Sequence, residues 1–308
     1  MKKIKMILIA LLTVALIGVL TGCSNNSEKT DNAATQAPTK EATETPATEA
    51  PAEETPATEG EDLSGTITIT GSTSVEKILN DMIDEFTALN PDVVINYTGT
   101  GSSAGIADTL AGSNDIGASS RNVKDEEKQD GLEIVTFAYD GIAVAVNPAN
   151  PVEDISIEDL AKIFSGEVTN WSQIGGNDAD IIVVSREGAS GTRSAFEELV
   201  KLEDAGGLTE DATVVEGNGN VQTNVAGNPN AIGYVSFSYI DETVKSVNVN
   251  GVEGTPETAK SGEYSLSRPF LFVYMDSKAS DTVKAFLEFT LSEDGQAFVE
   301  EHGGIKVD

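Results

Sequence analysis

From Ser24 to Asp62 the chain carries no apolar side chain larger than Ala or Pro. Thr, Ala, Glu and Pro dominate, and TPATE occurs twice, at Thr45–Glu49 and Thr55–Glu59. Such a segment cannot bury enough surface to offset the entropy of ordering it. It is expected to be a disordered tether, spanning roughly 35 Å r.m.s. as flexible chain and more where Pro and charge extend it. Whatever folds must lie in residues 63–308, a length that suits one large domain or two ordinary ones.

What precedes the tether reads as an export signal. Lys2, Lys3 and Lys5 give a positive start, and Met6 to Leu20 is an almost unbroken apolar run. The run is short for a spanning helix and ends in Leu20-Thr21-Gly22-Cys23, the form of a bacterial lipobox. Residues 1–22 are expected to be removed and Cys23 to be lipidated, leaving 23–62 as an anchored tether. An uncleaved anchor with an incidental Cys is the competing reading. Either way the folded part is expected on the extracytoplasmic face of the cell membrane.

Composition narrows the function. The chain has 51 Asp and Glu against 19 Lys and Arg, formal charge −32. Residues 63–308 hold 41 of the acids and 14 of the bases, net −27. That excess repels nucleic-acid phosphates, so no nucleic-acid partner is expected. A single Cys excludes intrachain disulfides and thiolate zinc clusters. The single His, His302, lies in a polar C-terminal segment and reads as a solvated surface residue, which leaves Ser–His catalysis without its base. Gly188-Ala189-Ser190-Gly191-Thr192 is not a nucleophile elbow, because Thr192 stands where G-x-S-x-G needs its second Gly. No enzyme activity, metal or cofactor is expected.

Hydrophobic periodicity lays out the elements. Thr66–Thr70 alternates as a strand, and Val75, Ile78, Leu79, Met82, Ile83, Phe86 and Leu89 fall on one helical face. Thr73 and Glu76 have capping-box spacing, and Asn90-Pro91 stops the helix. Val93–Thr98 and Asp115–Ala118 read as strands around a short helix holding Ile106 and Leu110. Leu132–Tyr139 and Ile142–Val146 read as strands flanking Asp140-Gly141. Ser156 caps a helix running to Phe164, and Trp171 is expected to be a packing residue. Ile181–Ser185, Ile232–Phe237 and Arg268–Met275 read as further strands, with a helix through Phe196, Leu199 and Val200 and two more over 280–291 and 294–301. Alternating strands and helices predict a mainly parallel sheet. Two such units joined twice predict two lobes with a cleft between them: 63–146 plus 263–308 as lobe 1, and 147–262 as lobe 2.

Four junctions repeat one chemistry: Gly71–Ser74, Gly99–Ser103, Ala118–Arg121 and Arg186–Thr192. Each puts small hydroxyl residues where a helix begins or a strand ends. Helix N-termini present unpaired N–H groups and partial positive charge, which favour anions. Hydroxyls add donors, and Gly lets backbone approach closely. Ordinary N-capping explains any one of these turns. Four together, two bearing Arg, point to an oxyanion site.

The stretches TGSTS (Thr70–Ser74), GSSAG (Gly101–Gly105), DIGASSRN (Asp115–Asn122), YDGIAVAVNP (Tyr139–Pro148), IFSGEVTNW (Ile163–Trp171), VSREGASGTR (Val184–Arg193), NPNAIGYVSF (Asn228–Phe237) and LSRPF (Leu266–Phe270) occur in one order along 65–308. Through them the chain resembles the phosphate-binding lipoproteins of ABC-type phosphate importers, a family of type II solute-binding proteins. The resemblance implies an α/β, two-lobed type II periplasmic-binding-protein fold with two interlobe crossovers and a ligand cleft. It implies capture of inorganic phosphate, delivery to the permease and ATPase subunits of an importer, attachment through a lipid anchor, and a monomer. The family's ligand contacts fall on Thr73, Ser74, Ser102, Arg186, Ser190, Gly191 and Thr192. In the best-studied branch an Asp stands at the position of Ser120 and accepts the phosphate proton. Here that acceptor is expected at Asp140, with Arg121 beside it or on the ligand; the alternative is that Asp140 is a turn residue before Gly141. Sulfate or molybdate binding, an adhesion or signalling module on the same fold, and a phosphatase-like hydrolase are the other readings. The last lacks a base and a metal cluster.

Overall fold

The structure, a computed structural model, describes residues 63–307. The expectations for the signal, Cys23 and the tether lie outside the described residues.

The first unit runs β1 (Gly65–Gly71), α1 (Glu76–Leu89), β2 (Val93–Gly99), α2 (Ser102–Ala111), β3 (Ile116–Ser119) and β4 (Leu132–Val146). The second runs β5 (Asp154–Ile155), α3 (Ile157–Ser165), β6 (Ile182–Arg186), α4 (Gly191–Leu199), β7 (Thr213–Val215), α5 (Asn218–Gly227), β8 (Ala231–Ser236), β9 (Lys245–Val249) and α6 (Pro256–Ser261). The chain then returns through β10 (Ser267–Met275), α7 (Asp281–Leu291), α8 (Glu293–Glu301) and β11 (Ile305–Lys306).

The strands lie in the order β2-β1-β3-β10-β4-β8-β6-β7. Pairing is parallel among β2, β1 and β3 and among β8, β6 and β7. It is antiparallel where β10 meets β3 and β4, and where β4 meets β8. The mainly parallel expectation therefore holds on the two flanks and fails in the middle. The cause is topological: β4 leaves the first unit and β10 re-enters it, so the two must run in opposite directions. β4 is also one continuous strand, not two strands around a turn. Asp140 sits within it, in register with Arg268, and Gly141 pairs with Ser267.

Two principal apolar cores flank this middle. One gathers Ile67, Ile78, Met82, Phe86, Phe137, Phe270, Phe272 and Phe286, with Phe137 and Phe272 stacked at 4.1 Å. The other gathers Leu160, Phe164, Trp171, Phe196, Tyr234 and Leu266, with Phe196 and Tyr234 stacked at 4.1 Å. Each fully buried Phe contributes about 1.5–3 kcal/mol relative to exposure. β4 gives Phe137 and Ala138 to the first core, then Ile142, Val144 and Val146 to the second. The returning strand region gives Leu266 to the second and Phe270 and Phe272 to the first. The cores therefore exchange at Asp140–Gly141 on β4 and at Ser267–Pro269 on β10. Both points lie a few residues inside the ranges expected for lobe 1.

Local details separate expectation from outcome. Ser156 caps α3 by accepting the Asp159 N–H at 3.0 Å. Trp171 is buried and its Nε1 donates to the Asn230 carbonyl at 3.0 Å. The capping box on α1 does not form: the helix starts at Glu76 with Val75 as its N-cap and no side-chain bond, so Thr73 lies ahead of the cap, where its hydroxyl accepts from Arg186. His302 is half-buried, not solvated, and its Nε2 lies 2.7 Å from Asp81 of α1.

Candidate functional site

Strand ends and helix starts from both units converge on one buried cluster. Ser72 and Ser74 follow β1 and are buried. The Ser74 hydroxyl lies 2.8 Å from the Thr192 hydroxyl, across from the first turn of α4. Ser102 opens α2; its Oγ accepts the Ser120 N–H at 3.0 Å and lies 3.3 Å from the Ser120 hydroxyl. Gly191 packs directly on these two serines. A Cβ there would collide with the Ser102 hydroxyl and come within 2.6 Å of that of Ser120, so the position needs Gly for close approach. A second approach lies beside it. Gly101, at φ 91°, faces the Ala189 carbonyl, which accepts the Ser103 N–H at 3.1 Å.

Ser190 caps α4 by accepting the Arg193 N–H at 3.1 Å. That uses an oxygen lone pair and leaves the hydroxyl proton free to donate. The first N–H groups of α4, at Gly191 and Thr192, have no intrahelical acceptor. Capping and anion donation are compatible on this turn.

Arg186 ends β6 and is 1% exposed. Its Nε and Nη2 donate to the two oxygens of Glu187 at 2.8 and 2.7 Å. Its Nη2 also reaches the Thr73 hydroxyl at 3.0 Å, and its Nη1 the Thr192 hydroxyl at 3.4 Å. Burial pushes the Glu187 carboxyl up, but the hydrogen bonds and charge of Arg186 outweigh it and hold Glu187 below the ordinary value. Behind the arginine, the Tyr234 hydroxyl receives the Arg186 N–H at 3.3 Å and lies 2.7 Å from Ser185. Burial pushes this phenol up to about 12, so it stays protonated.

The structure brings Thr73, Ser74, Ser102, Ser120, Arg186, Ser190, Gly191 and Thr192 together. It separates Arg121 and re-employs Asp140. Arg121 gives both terminal nitrogens to Glu127, at 2.7 and 2.6 Å, and one of them to Ser103 at 3.0 Å. It lines an open cavity of about 810 Å³ with Lys124, Arg193, Glu197 and Lys201, none of the bridging hydroxyls among them. Arg121 is therefore not the neighbour of Asp140. That neighbour is Arg268, whose Nε and Nη2 donate to Asp140 Oδ2 at 3.1 and 2.8 Å. Asp140 Oδ1 accepts the Ser236 hydroxyl at 2.9 Å. Three protein donors thus hold its two oxygens, and Asp140 serves first to hold Arg268. Burial pushes its carboxyl up against the opposing pull of Arg268.

Two residues of this network were not foreseen. Asn218, at the start of α5, donates to the Ser74 and Thr73 hydroxyls at 3.1 and 3.4 Å. Arg268, 3% exposed, donates to the Ser74 hydroxyl at 3.2 Å. The signal for Arg268 was present in the chain: a lone cation at the head of one apolar strand, Ser267–Met275, and an acid in the middle of another, Leu132–Val146.

Comparison with known proteins agrees with this geometry. Residues 28–294 match the family model of the PBP superfamily domain. The phosphate-binding protein PstS of Borreliella burgdorferi is 33% identical over 259 residues, 80% of this chain and 93% of that protein. The phosphate-binding protein PstS of Bacillus subtilis is 32% identical over 313 residues, 100% of this chain and 95% of its own length. A Clostridium perfringens protein, described as a phosphate ABC transporter substrate-binding protein and solved with bound phosphate, is 45% identical. It superposes with a TM-score of 0.77, covering 79% of this chain and all of that one.

Proposed function

The chain belongs to the PBP superfamily and, within it, to the phosphate-binding proteins of ABC-type importers; from that premise we propose that it captures inorganic phosphate outside the cytoplasmic membrane and hands it to an importer's membrane subunits. One observation carries the reading. Hydroxyl turns from both units and Arg186 meet in one buried cluster, Ser74, Thr192, Thr73 and Arg186 joined by hydrogen bonds and the Ser102–Ser120 pair packed against Gly191. A desolvated set of donors of this kind binds an oxyanion far more strongly than the same groups in water.

Thr73, Ser74, Ser102, Ser120, Ser190, Gly191, Thr192 and Arg186 form the ligand shell in this proposal. Its acceptors for the phosphate proton are hydroxyl oxygens, Ser120 foremost, because the nearby carboxylates Asp140 and Glu187 are bound to their arginines. The lobes, 63–146 with 263–308 and 147–262, close over the ligand as a hinge about the β4–β10 seam. Cys23 carries the lipid, residues 23–62 are the tether, and the protein works as a monomer without catalysis.

Isothermal titration of the purified protein against phosphate, sulfate and molybdate tests this. Saturable phosphate binding at one site is expected. Binding of molybdate or sulfate without phosphate would reassign the ligand. Binding of none would favour an adhesion or signalling role on the same fold.

A further inference from the structure

Two buried arginines in this molecule are held by the same edge, Arg186 across both oxygens of its carboxylate and Arg268 on one. Each gives its Nε and Nη2 to a carboxylate: Arg186 to Glu187 and Arg268 to Asp140. A guanidinium is planar, and its N–H groups form a fixed fork. Fixing the Nε–Nη2 edge therefore fixes the direction of the other edge, made by Nη1 and Nη2. On Arg186 that edge meets the Thr73 and Thr192 hydroxyls. On Arg268 its Nη2 half meets the Ser74 hydroxyl. Its Nη1 half is buried and has no hydrogen-bond partner among the described residues.

We propose that Arg268 is a direct ligand of the bound anion, gripping it with the Nη1–Nη2 edge beside Ser74, and that Asp140 is the positioning residue holding this fork in place. The inference rests on the phosphate reading and extends its ligand shell. Three observations support it. An unpaired, fully buried guanidinium nitrogen is costly, and a two-oxygen anion face matches the parallel N–H groups beside Ser74. Ser74 and Thr192 bond each other and so link the two arginines into one chain of donors. Finally, the cations are close enough that the charge of Arg186 disfavours that of Arg268. An anion between them reverses that repulsion.

Placement adds meaning to the contact. Arg268 and Asp140 are cross-strand partners on the two strands that pass between the cores. A ligand held by Arg268 therefore pulls directly on the seam about which the lobes close, whereas Arg186 pulls from within the second unit.

The test begins with phosphate titration of the wild-type protein. Its failure to bind phosphate overturns the proposed function, and this inference with it. The double variant Arg268→Gln with Asp140→Asn removes both charges, so no carboxylate is left buried alone. It should keep the wild-type circular dichroism and lose phosphate affinity by about 30-fold or more, as expected for losing one charged partner of a desolvated contact. Arg268→Lys should recover only part, since an ammonium cannot present the fork. A folded double variant binding within threefold of a phosphate-binding wild type overturns the inference alone.

Two measurements on intact chains keep the question decidable if the double variant does not fold. In a crystal structure with phosphate, Arg268 Nη1 should lie within about 3.2 Å of a phosphate oxygen; an Nη1 bonded only to water or protein overturns the contact. In ¹⁵N spectra, with Arg268→Lys giving the assignment, Nη1 and Nη2 of Arg268 should be separate signals, and phosphate should shift Nη1. Asp140→Asn should merge the two signals by freeing rotation about Cζ–Nε and weaken phosphate binding about 3- to 10-fold. Separate, unchanged signals in that variant would show that Asp140 does not position the fork.

Discussion

Arg121 and Arg268 are both buried, both paired with a carboxylate, and only one of them faces the site. Arg121 belongs to the third hydroxyl turn, next to Ser120, and looks the better candidate on paper. Its carboxylate, Glu127, takes the Nη1–Nη2 edge, leaving only a buried Nε without a partner. Asp140 takes the Nε–Nη2 edge of Arg268 and leaves the terminal fork facing Ser74. Which edge the counterion occupies decides what an arginine can bind. Sequence shows the arginine and sometimes the counterion, but not the edge.

The comparison can be broken most forcefully at Arg186, the arginine that shares Arg268's arrangement. Arg186→Ala should cost roughly 2–4 kcal/mol of phosphate binding, by analogy with truncating one partner of a buried charged hydrogen bond. Arg186→Lys should recover part of that. Titration showing Arg186→Ala within threefold of wild type would mean that this edge arrangement does not mark a ligand arginine.

Arg121→Ala should show the opposite division. Removing it strands a partly buried Glu127 and should lower stability by about 2–3 kcal/mol. Phosphate affinity should stay within threefold. Thermal unfolding and titration on the same sample separate the two effects, and a large affinity loss with intact stability would return Arg121 to the site.

A smaller effect is expected at the close approach between the units. Gly191→Ala puts a methyl group against the Ser102 and Ser120 hydroxyls. Overpacking of this kind costs about 1–3 kcal/mol, and here it should fall on closure. Small-angle scattering with and without phosphate should show less compaction than in the wild type. Equal compaction would mean that the serines can move aside.

The smallest effect sharpens the role of Glu127. Burial pushes its carboxyl up, but bonds and charge from Arg121 bring it below its usual 4.5. A carboxylate with a depressed folded pKa stabilises the protein above its unfolded pKa and loses that contribution as pH falls through the folded value. Glu127→Gln should therefore lower the melting temperature by a few degrees at neutral pH. The gap to wild type should shrink below about pH 4.5. A gap independent of pH would mean that the pair acts through shape and not charge.

Much of the fold was legible because apolar spacing is local. The α1 face from Ile78 to Phe86, the Ser156 cap and the strand at Ile182–Arg186 all follow from short-range patterns. Three kinds of feature were not legible. Strand direction in the middle of the sheet depends on which unit the chain re-enters. α5, NGNVQTNVAG, has Gly and Asn where a helix signal needs periodic apolar residues, so packing of Val221 and Val225 decides it. The strand break expected at Asp140-Gly141 came from a dipeptide that usually turns; the buried Arg268 across the ladder keeps it extended. The site divided in the same way. Hydroxyl turns announce themselves one by one, whereas Arg268 with Asp140, |i−j| = 128, is a property of two distant strands.

Each arginine facing this site is already matched by a carboxylate within 3 Å, at 2.7 Å for Arg186–Glu187 and 2.8 Å for Arg268–Asp140. Seen from outside, matched pairs are dipoles, and a dipole's reach fades much faster with distance than a bare charge's. The molecule around them carries net −27 over residues 63–308. An approaching anion thus feels mild repulsion until it touches the donors, and capture is a matter of collision, not attraction. Added salt weakens only the repulsive part, so uptake should run at least as fast in brine as in fresh water.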